Sequence, residues 1–247
     1  MPVDMVNHKD FITMTPATFL QLGRVSNLPT VVSQVITAAL VASSEPPLIP
    51  LLAVMFAFLL LYTSGMFLND AFDASYDREH QKFRPIPQGK VTRHAVFLWG
   101  FGLMALSLLV SLWGGVAPAG SRFLSFGALV AAAVIVLAYD AYHKANPLSP
   151  LVMGLARGSV YLGSFLVFAE FQGWMLYLAG LPLLYTVGLT FVAKSPRVPD
   201  DVVGVLVAGI CFVDVVVLAC WGVWTWLWFP VVMFGLARVL GRWVRGT

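Results

Sequence analysis

The chain has 247 residues, 59% of them hydrophobic and only 11% charged, and its mean hydropathy is +0.84. A soluble domain carries about a quarter of its residues charged, so this composition excludes a soluble protein. It gives apolar length for about seven to nine membrane spans, each about 20 residues long, with no room for a separate soluble domain. The net charge of +3 says little as a total, and no nucleic-acid partner is expected; where the charges fall says more.

In chain order the sequence predicts eight spans, over 17–43, 48–70, 93–115, 120–140, 148–169, 172–193, 201–220 and 222–241. Pro46-Pro47, Gly114-Gly115 with Pro118, Asn146-Pro147, Gly173, Pro196 and Pro199 mark breaks between them. The separator Cys220-Trp221-Gly222 is the weakest. The N-terminus lacks a short apolar core ending in a small-residue cleavage site, so the first helix is expected to stay as a span. Cys211 and Cys220 have no metal-ligand or CxxC spacing and read as small membrane hydrophobes.

Alternate loops collect the cations. Arg78, Lys82, Arg84, Lys90 and Arg93 fall in one, then Lys144, then Lys194 and Arg197, then Arg238, Arg242 and Arg245; the opposite loops hold Glu45, Arg122 and Glu170. Cytoplasmic loops of membrane proteins are rich in Lys and Arg. The pattern fits an even number of spans with both termini and the basic loops in the cytoplasm.

The second span ends in Asn69-Asp70-Ala71-Phe72-Asp73-Ala74-Ser75-Tyr76-Asp77. On a continued helix, at about 100° per residue, Asp70, Asp73 and Asp77 fall within roughly 60° of one another, with Asn69 beside them. Carboxylates that close repel unless a cation sits among them. Asp at the C-terminal end of a helix is also opposed by the helix dipole. A divalent ion resolves both problems. Mg²⁺ takes oxygen ligands, commonly one or two carboxylates, and completes its shell with water and phosphate oxygens. Arg84, stiffened by the prolines after it, suits phosphate because its fork donates two parallel hydrogen bonds.

Asn69-Asp70-x-x-Asp73-x-x-x-Asp77, followed by Arg84-Pro85 and Gly89-Lys90-Val91, strongly resembles the first signature of the UbiA superfamily of intramembrane prenyltransferases. Gly23-Arg24-Val25-Ser26-Asn27-Leu28-Pro29-Thr30 looks like the opening of that family's first helix. Tyr139-Asp140-Ala141-Tyr142-His143-Lys144 looks like its Tyr/Lys loop after the fourth. The Tyr139–Lys144 segment with Ser149-Pro150 and Met153-Gly154 looks most like the shorter, EboC-type branch, associated with secondary-metabolite clusters and export.

The resemblance implies an all-α polytopic bundle of eight helices (nine is usual in the family) around a central cavity, a single domain over 1–247. It implies Mg²⁺-dependent transfer of a prenyl group from a prenyl diphosphate to a lipophilic, often aromatic, acceptor within the membrane lipid. Carried over residue by residue, Asp70, Asp73 and Asp77 hold metal, Asn69 assists, and Asp70, Asp73 and Lys144 are the catalytic set. Arg24, Asn27, Arg78, Arg84, Tyr139 and Lys144 line the diphosphate. Arg157, about ten residues into its span, either reaches the diphosphate or pairs with an acid. Asp214, in the seventh span, is expected to form a structural pair. His8, His80, His94 and His143 form no metal spacing, and only His143 is placed to see the ligand.

The family's second acidic motif is missing. The loop after the sixth span reads Lys194-Ser195-Pro196-Arg197-Val198-Pro199-Asp200-Asp201. Asp200, Asp201 or Asp140 is left to substitute, or the site takes one metal. That departure keeps a second function in view, a non-catalytic isoprenoid or lipid binder tied to export. Phosphotransfer on CDP-linked alcohols is disfavoured, because Ala74-Ser75 replaces the Gly that its motif needs and no Ala-Arg pair follows. A channel is disfavoured because no span offers a repeated polar stripe.

Overall fold

The structure is a computed structural model that describes residues 14–113, 122–144, 146–195 and 197–244. His8, Gly114-Gly115, Pro118, Pro196 and Arg245 lie outside the described residues. Ten α-helices follow in order: α1 (Pro16–Leu22), α2 (Leu28–Ala42), α3 (Leu48–His80), α4 (Arg93–Trp113), α5 (Arg122–Tyr142), α6 (Ser149–Phe168), α7 (Gly173–Ala193), α8 (Asp200–Ala208), α9 (Ile210–Cys220) and α10 (Trp228–Trp243). No strand occurs among the described residues. Among the described residues, eight helical segments are long and apolar enough to cross a membrane, as the hydropathy pattern predicts.

Two expected spans are built differently. The first is not one helix over 17–43. Thr15 caps α1, its hydroxyl accepting from the Thr18 backbone N–H, and Pro16 opens the first turn, where its missing N–H is harmless. The chain then turns at Gly23-Arg24 and resumes through a short 3₁₀ turn, Val25–Asn27. Arg24 takes φ 43° and ψ 51°, a left-handed conformation uncommon outside glycine. The seventh span is two helices, α8 and α9, meeting at Gly209. There Tyr185 Oη donates to the Leu206 carbonyl at 2.7 Å. The weakest separator is a real break, since Gly222 has φ +82° and a 3₁₀ turn, Trp224–Trp226, follows before α10.

The element that matters most is α3. Its 33 residues make a rod of about 50 Å, well beyond the hydrocarbon thickness of about 30 Å. The sequence predicts this span to stop at residue 70, yet the helix runs on to His80. Its last three turns therefore carry the acids at and past the edge of the lipid.

Close helix approach holds the bundle, because lipid tails offer no hydrophobic drive between helices. α3 packs on α4, α5 and α2; α5 on α6; α6 on α7 and α2; α7 on α8 and α9; and α2 on α9 and α10. Hydroxyls stitch the α3–α4 pair, with Ser64 Oγ donating to the Gly100 carbonyl at 2.8 Å and Ser107 Oγ to that of Ala57 at 2.7 Å. The α2 helix carries a fully buried polar row, Thr30, Ser33, Gln34 and Thr37, at the i, i+3, i+4, i+7 spacing of one helix face. This corrects the expectation that no span has a polar stripe; the row faces other helices, not lipid.

α6 presses on α7 through small residues. A Cβ on Gly154 would stand 2.8 Å from the Leu183 carbonyl oxygen and 2.7 Å from Val187 Cγ2. Gly154→Ala should lower stability by about 1–3 kcal/mol, because a backbone carbonyl cannot step aside. Gly180→Ala, with open space at its Cβ, should be neutral or slightly stabilising by helix propensity. Thermal unfolding of both variants in detergent checks the contrast; equal effects would remove the close-packing account.

Candidate functional site

Eight alternating spans bring the start of α2, the end of α3, the start of α4, the end of α5 and the start of α6 to one end of the bundle. There the three aspartates face inward. Asp70, Asp73 and Asp77 are 5%, 7% and 2% exposed, so the acids are not a solvated helix end. Burying three carboxylates demands charge compensation, and it comes from three directions.

From the α1–α2 turn, Arg24 Nη2 reaches Asp70 Oδ1 at 3.3 Å and the Asn69 side-chain oxygen at 3.5 Å. From the loop after α3, Arg84 Nη1 donates to Asp70 Oδ1 and to Asp77 Oδ2, both at 3.0 Å. From the end of α5, Lys144 Nζ lies 2.9 Å from Asp73 Oδ1 and His143 Nε2 3.4 Å from Asp73 Oδ2. Each local backbone explains its side chain. Arg24 is the left-handed residue. The loop at Arg84 is closed by Gln88 N–H on the Arg84 carbonyl and by the positive φ of Gly89.

His143 is held on both ring nitrogens. Its Nδ1 donates to the Tyr139 carbonyl at 3.1 Å, and its ring stacks on that of Tyr139 with centroids 4.8 Å apart. Both neighbours are acceptors, and only the imidazolium donates from both nitrogens. The hydrogen bond to Asp73 accordingly raises the His143 pKa above its ordinary value, against the opposing effect of burial. Lys144 also lies over the Tyr76 ring, 3.7 Å from its centroid.

A fourth acid joins the motif from α5. Asn69 Nδ2 donates to Asp140 Oδ1 at 3.2 Å, while Asp140 Oδ2 is buried with no partner. Asp200 and Asp201 make no ion pair with the rim among the described residues. They are exposed, in the first turn of α8, where a helix N-terminus favours acids. Of the three residues left to stand in for a second acidic motif, Asp140 alone lies against the first.

Beneath this charged rim is a cavity of about 320 Å³ between α2, α3, α5, α6, α7 and α8. Arg24, Asn27, Tyr139 and Asp140 line it together with Arg157 and a mainly apolar wall that includes Phe58 and Tyr62. The rim and the cavity are one site, charged at the membrane edge and apolar within.

Two placements differ from expectation. Arg78 is exposed on the outer face of α3 and makes no ion pair among the described residues, because one step from Asp77 turns it about 100° away. Asp214 is not paired with a cation; it is fully buried and accepts from the hydroxyls of Ser33 and Tyr161. Sequence reading passed over Tyr62, Tyr76 and Gln34. Tyr62 stands seven residues before Asn69, two turns away on the same helix face, which is a signal legible afterwards.

The donor set fits magnesium. Every acid on the rim offers hard oxygen, and the orphaned Asp140 Oδ2 is a buried acceptor without a donor. Among the described residues no three His, Cys, Asp or Glu side chains form a ready metal cage. Such a donor set suits an ion that takes one or two carboxylates and completes its shell with phosphate oxygens.

The sequence profile of the UbiA prenyltransferase family matches residues 27–246. Curated relatives include digeranylgeranylglyceryl phosphate synthases. That of Methanoregula boonei is 31% identical over 147 residues, 59% of this chain and 48% of that protein. That of Pyrococcus horikoshii is 32% identical over 120 residues, 46% and 43% of the two chains. The chain thus spans about half the length of the curated relatives it matches. Among solved structures, one from a study of digeranylgeranylglyceryl phosphate synthase in membranes superposes with TM-score 0.60 at 19% identity, covering 91% of this chain and 94% of that one. A UbiA homolog from Archaeoglobus fulgidus gives 0.55 at 17% identity, covering 90% and 83%. Both show the same fold.

Arg84 is the hinge of the rim, because among the described residues it alone forms ion pairs with two of the acids. Arg84→Ala should destabilise the ligand-free protein by about 3 kcal/mol, the scale of losing one partner of a buried pair. Asp77→Asn in the same chain should recover much of the loss. A double-mutant cycle on chemical unfolding measures the coupling, and strict additivity would show that the pair contributes nothing.

Proposed function

This chain belongs to the UbiA prenyltransferase family, and we propose that it binds a prenyl diphosphate with Mg²⁺ at the α3 rim and transfers the prenyl group to a lipophilic acceptor in the cavity below. The observation that carries this reading is the buried acid row, met by cations from three loops, at the mouth of an apolar cavity.

Charge accounting supports it. Three carboxylates face three permanent cations and His143, so the rim alone is close to neutral. An incoming diphosphate draws Arg24, Arg84 and Lys144 onto its oxygens. The carboxylates they leave cannot stay buried and unpaired. Bound there, Mg²⁺ supplies positive charge that matches the carboxylates and polarises the diphosphate.

The residues then divide the work. Arg24, Arg84 and Lys144 stabilise the negative charge that moves onto the diphosphate as the allylic C–O bond breaks. Asn69 keeps Asp140 turned toward the motif. The apolar wall excludes water that would otherwise quench the allylic cation, and the faces of Tyr62 and Phe58 suit a positive charge. The acceptor attacks the same carbon from within the cavity. The relatives' name points to a glyceryl phosphate as one acceptor class. The basic loops lie at the rim end of the bundle, which by the positive-inside pattern puts the diphosphate site and both ends of the chain on the cytoplasmic face. Residues 1–247 make one such domain.

A second reading, a prenyl-diphosphate or lipid binder without turnover, is favoured by one observation: Asp200 and Asp201 are exposed and make no ion pair with the rim among the described residues, while Asn69 bonds Asp140 to the motif. Purified protein in nanodiscs, given prenyl diphosphates of several lengths and a panel of acceptors, separates the two. Prenyl transfer should produce diphosphate only with Mg²⁺, stop on chelation, and fall by roughly 100-fold or more in Asp73→Ala. Binding without release would leave the binder reading. A folded protein that neither binds nor turns over any donor would overturn both.

A further inference from the structure

The cavity has a floor, and one side chain makes it. Phe58 lies on α3 twelve residues before Asp70, about 18 Å along the helix axis. Of the α3 residues that line the cavity, it stands furthest from the acids. On its far side lies a second, smaller cavity of about 20 Å³.

The two cavities are stacked along the same helices. Ala132 of α5 and Val160 of α6 line the large one, and Leu129 and Gly163, about one turn further on, line the small one. Among the described residues Phe58 alone lines both. Its buried ring crosses from α3 to α6. A Cβ on Gly163 would stand 2.7 Å from the ring Cζ, so the ring edge rests on α6 where no side chain intervenes. Leu129, Ala132 and Val160 belong to the same buried cluster. A ring packed on several sides does not yield to a chain without loss of contacts.

We infer that Phe58 is the stop that sets the length of the prenyl chain, and that the donor it admits has three to four isoprene units. The inference rests on the reading of the rim as a prenyl-diphosphate site, which puts the allylic carbon at the mouth and the tail below it. Each unit of an extended isoprenoid adds four chain bonds, about 5 Å at the bond lengths of an extended chain. About 18 Å of depth therefore takes three to four units. A longer tail meets the ring and must fold back, displace it or leave for lipid. Fit decides between tails, because lipid is as apolar as the cavity wall and offers no hydrophobic preference. Removing the ring deletes six carbons, about the bulk of one five-carbon unit, and joins the two cavities. The limit should then move out by about one unit.

Competition binding to the protein in nanodiscs tests this without any acceptor. The probes are an equimolar set of all-trans prenyl diphosphates of two to six units, with Mg²⁺, and mass spectrometry of the donors retained on the protein reads their occupancy. Wild type should hold the three- and four-unit donors, with occupancy falling about tenfold at the next unit, the scale of forcing extra carbons into a filled core. Phe58→Ala should move that fall out by about one unit. Phe58→Leu, which keeps the floor partly filled, should weaken the fall and serves if the alanine variant does not fold. Phe56→Ala, at an exposed aromatic of the same helix, should leave the profile as in wild type. Level occupancy from three to six units in wild type means that the tail leaves the cavity for lipid, and overturns the inference. So does a fall that stays at the same unit in both Phe58 variants. A folded protein that retains no donor of any length overturns the donor reading along with it. A fall that moves in Phe58→Ala, in a protein that transfers no prenyl group, sinks the transfer reading and leaves the length stop standing.

Discussion

The fold depends on one electrostatic arrangement: carboxylates on a single helix, buried at the edge of the lipid, and cations delivered to them by other parts of the chain. Asp70, Asp73 and Asp77 belong to α3, but Arg24 comes from the turn before α2, Arg84 from the loop after α3, and His143 and Lys144 from the end of α5. Alone, the acids would repel and the helix dipole would oppose them. Paired, they tie together one end of several helices that lipid gives no reason to associate. The pairing is also exchangeable. What satisfies the carboxylates without ligand is the set of groups a diphosphate would claim, so the resting structure and the proposed bound one are built from the same charges.

The membrane interior is held by a different device. Serine hydroxyls reach carbonyls of the neighbouring helix, and glycines of α6 let its backbone approach α7. Polar groups inside are matched with one another: Asp214 with Ser33 and Tyr161, Gln34 with Arg157. Because small residues and internal hydrogen bonds carry the packing, bulky side chains remain free to shape the cavity. Phe58 and Tyr62 wall it on α3, the same helix that carries the acids. One rigid element thereby fixes the distance between the charged rim and the apolar chamber.

Charge in the cavity is divided by depth. Near the lipid edge, cations are abundant and balanced by aspartates. About two turns deeper, Arg157 stands with an amide and an aromatic face, and the buried carboxylate of Asp214 acts on it through its charge. A site that handles a highly charged leaving group can tolerate many neighbouring cations at the membrane surface, where water and salt screen them.

Much of this was legible in the sequence. Hydropathy set eight spans, since each needs a length the bilayer dictates. The i, i+3, i+7 spacing put Asp70, Asp73 and Asp77 on one face, since helical periodicity is local. Loop charge gathered the cations at one end of the spans. Local information also placed Arg78 beside the acids, and only the packed helix shows it turned outward. The choice among Asp140, Asp200 and Asp201, the partners of Asp214, the break at Arg24 and the meeting of Arg157 with Gln34 and Tyr62 were decided by tertiary structure alone. Those facts turn on which residues, tens of positions apart, share a depth and a face once the helices pack. The sequence determined the membrane spans and the acid row because both are periodic along one chain segment. The compensation of the charges and the shape of the cavity belong to the tertiary structure, because no single segment contains both halves of any of those contacts.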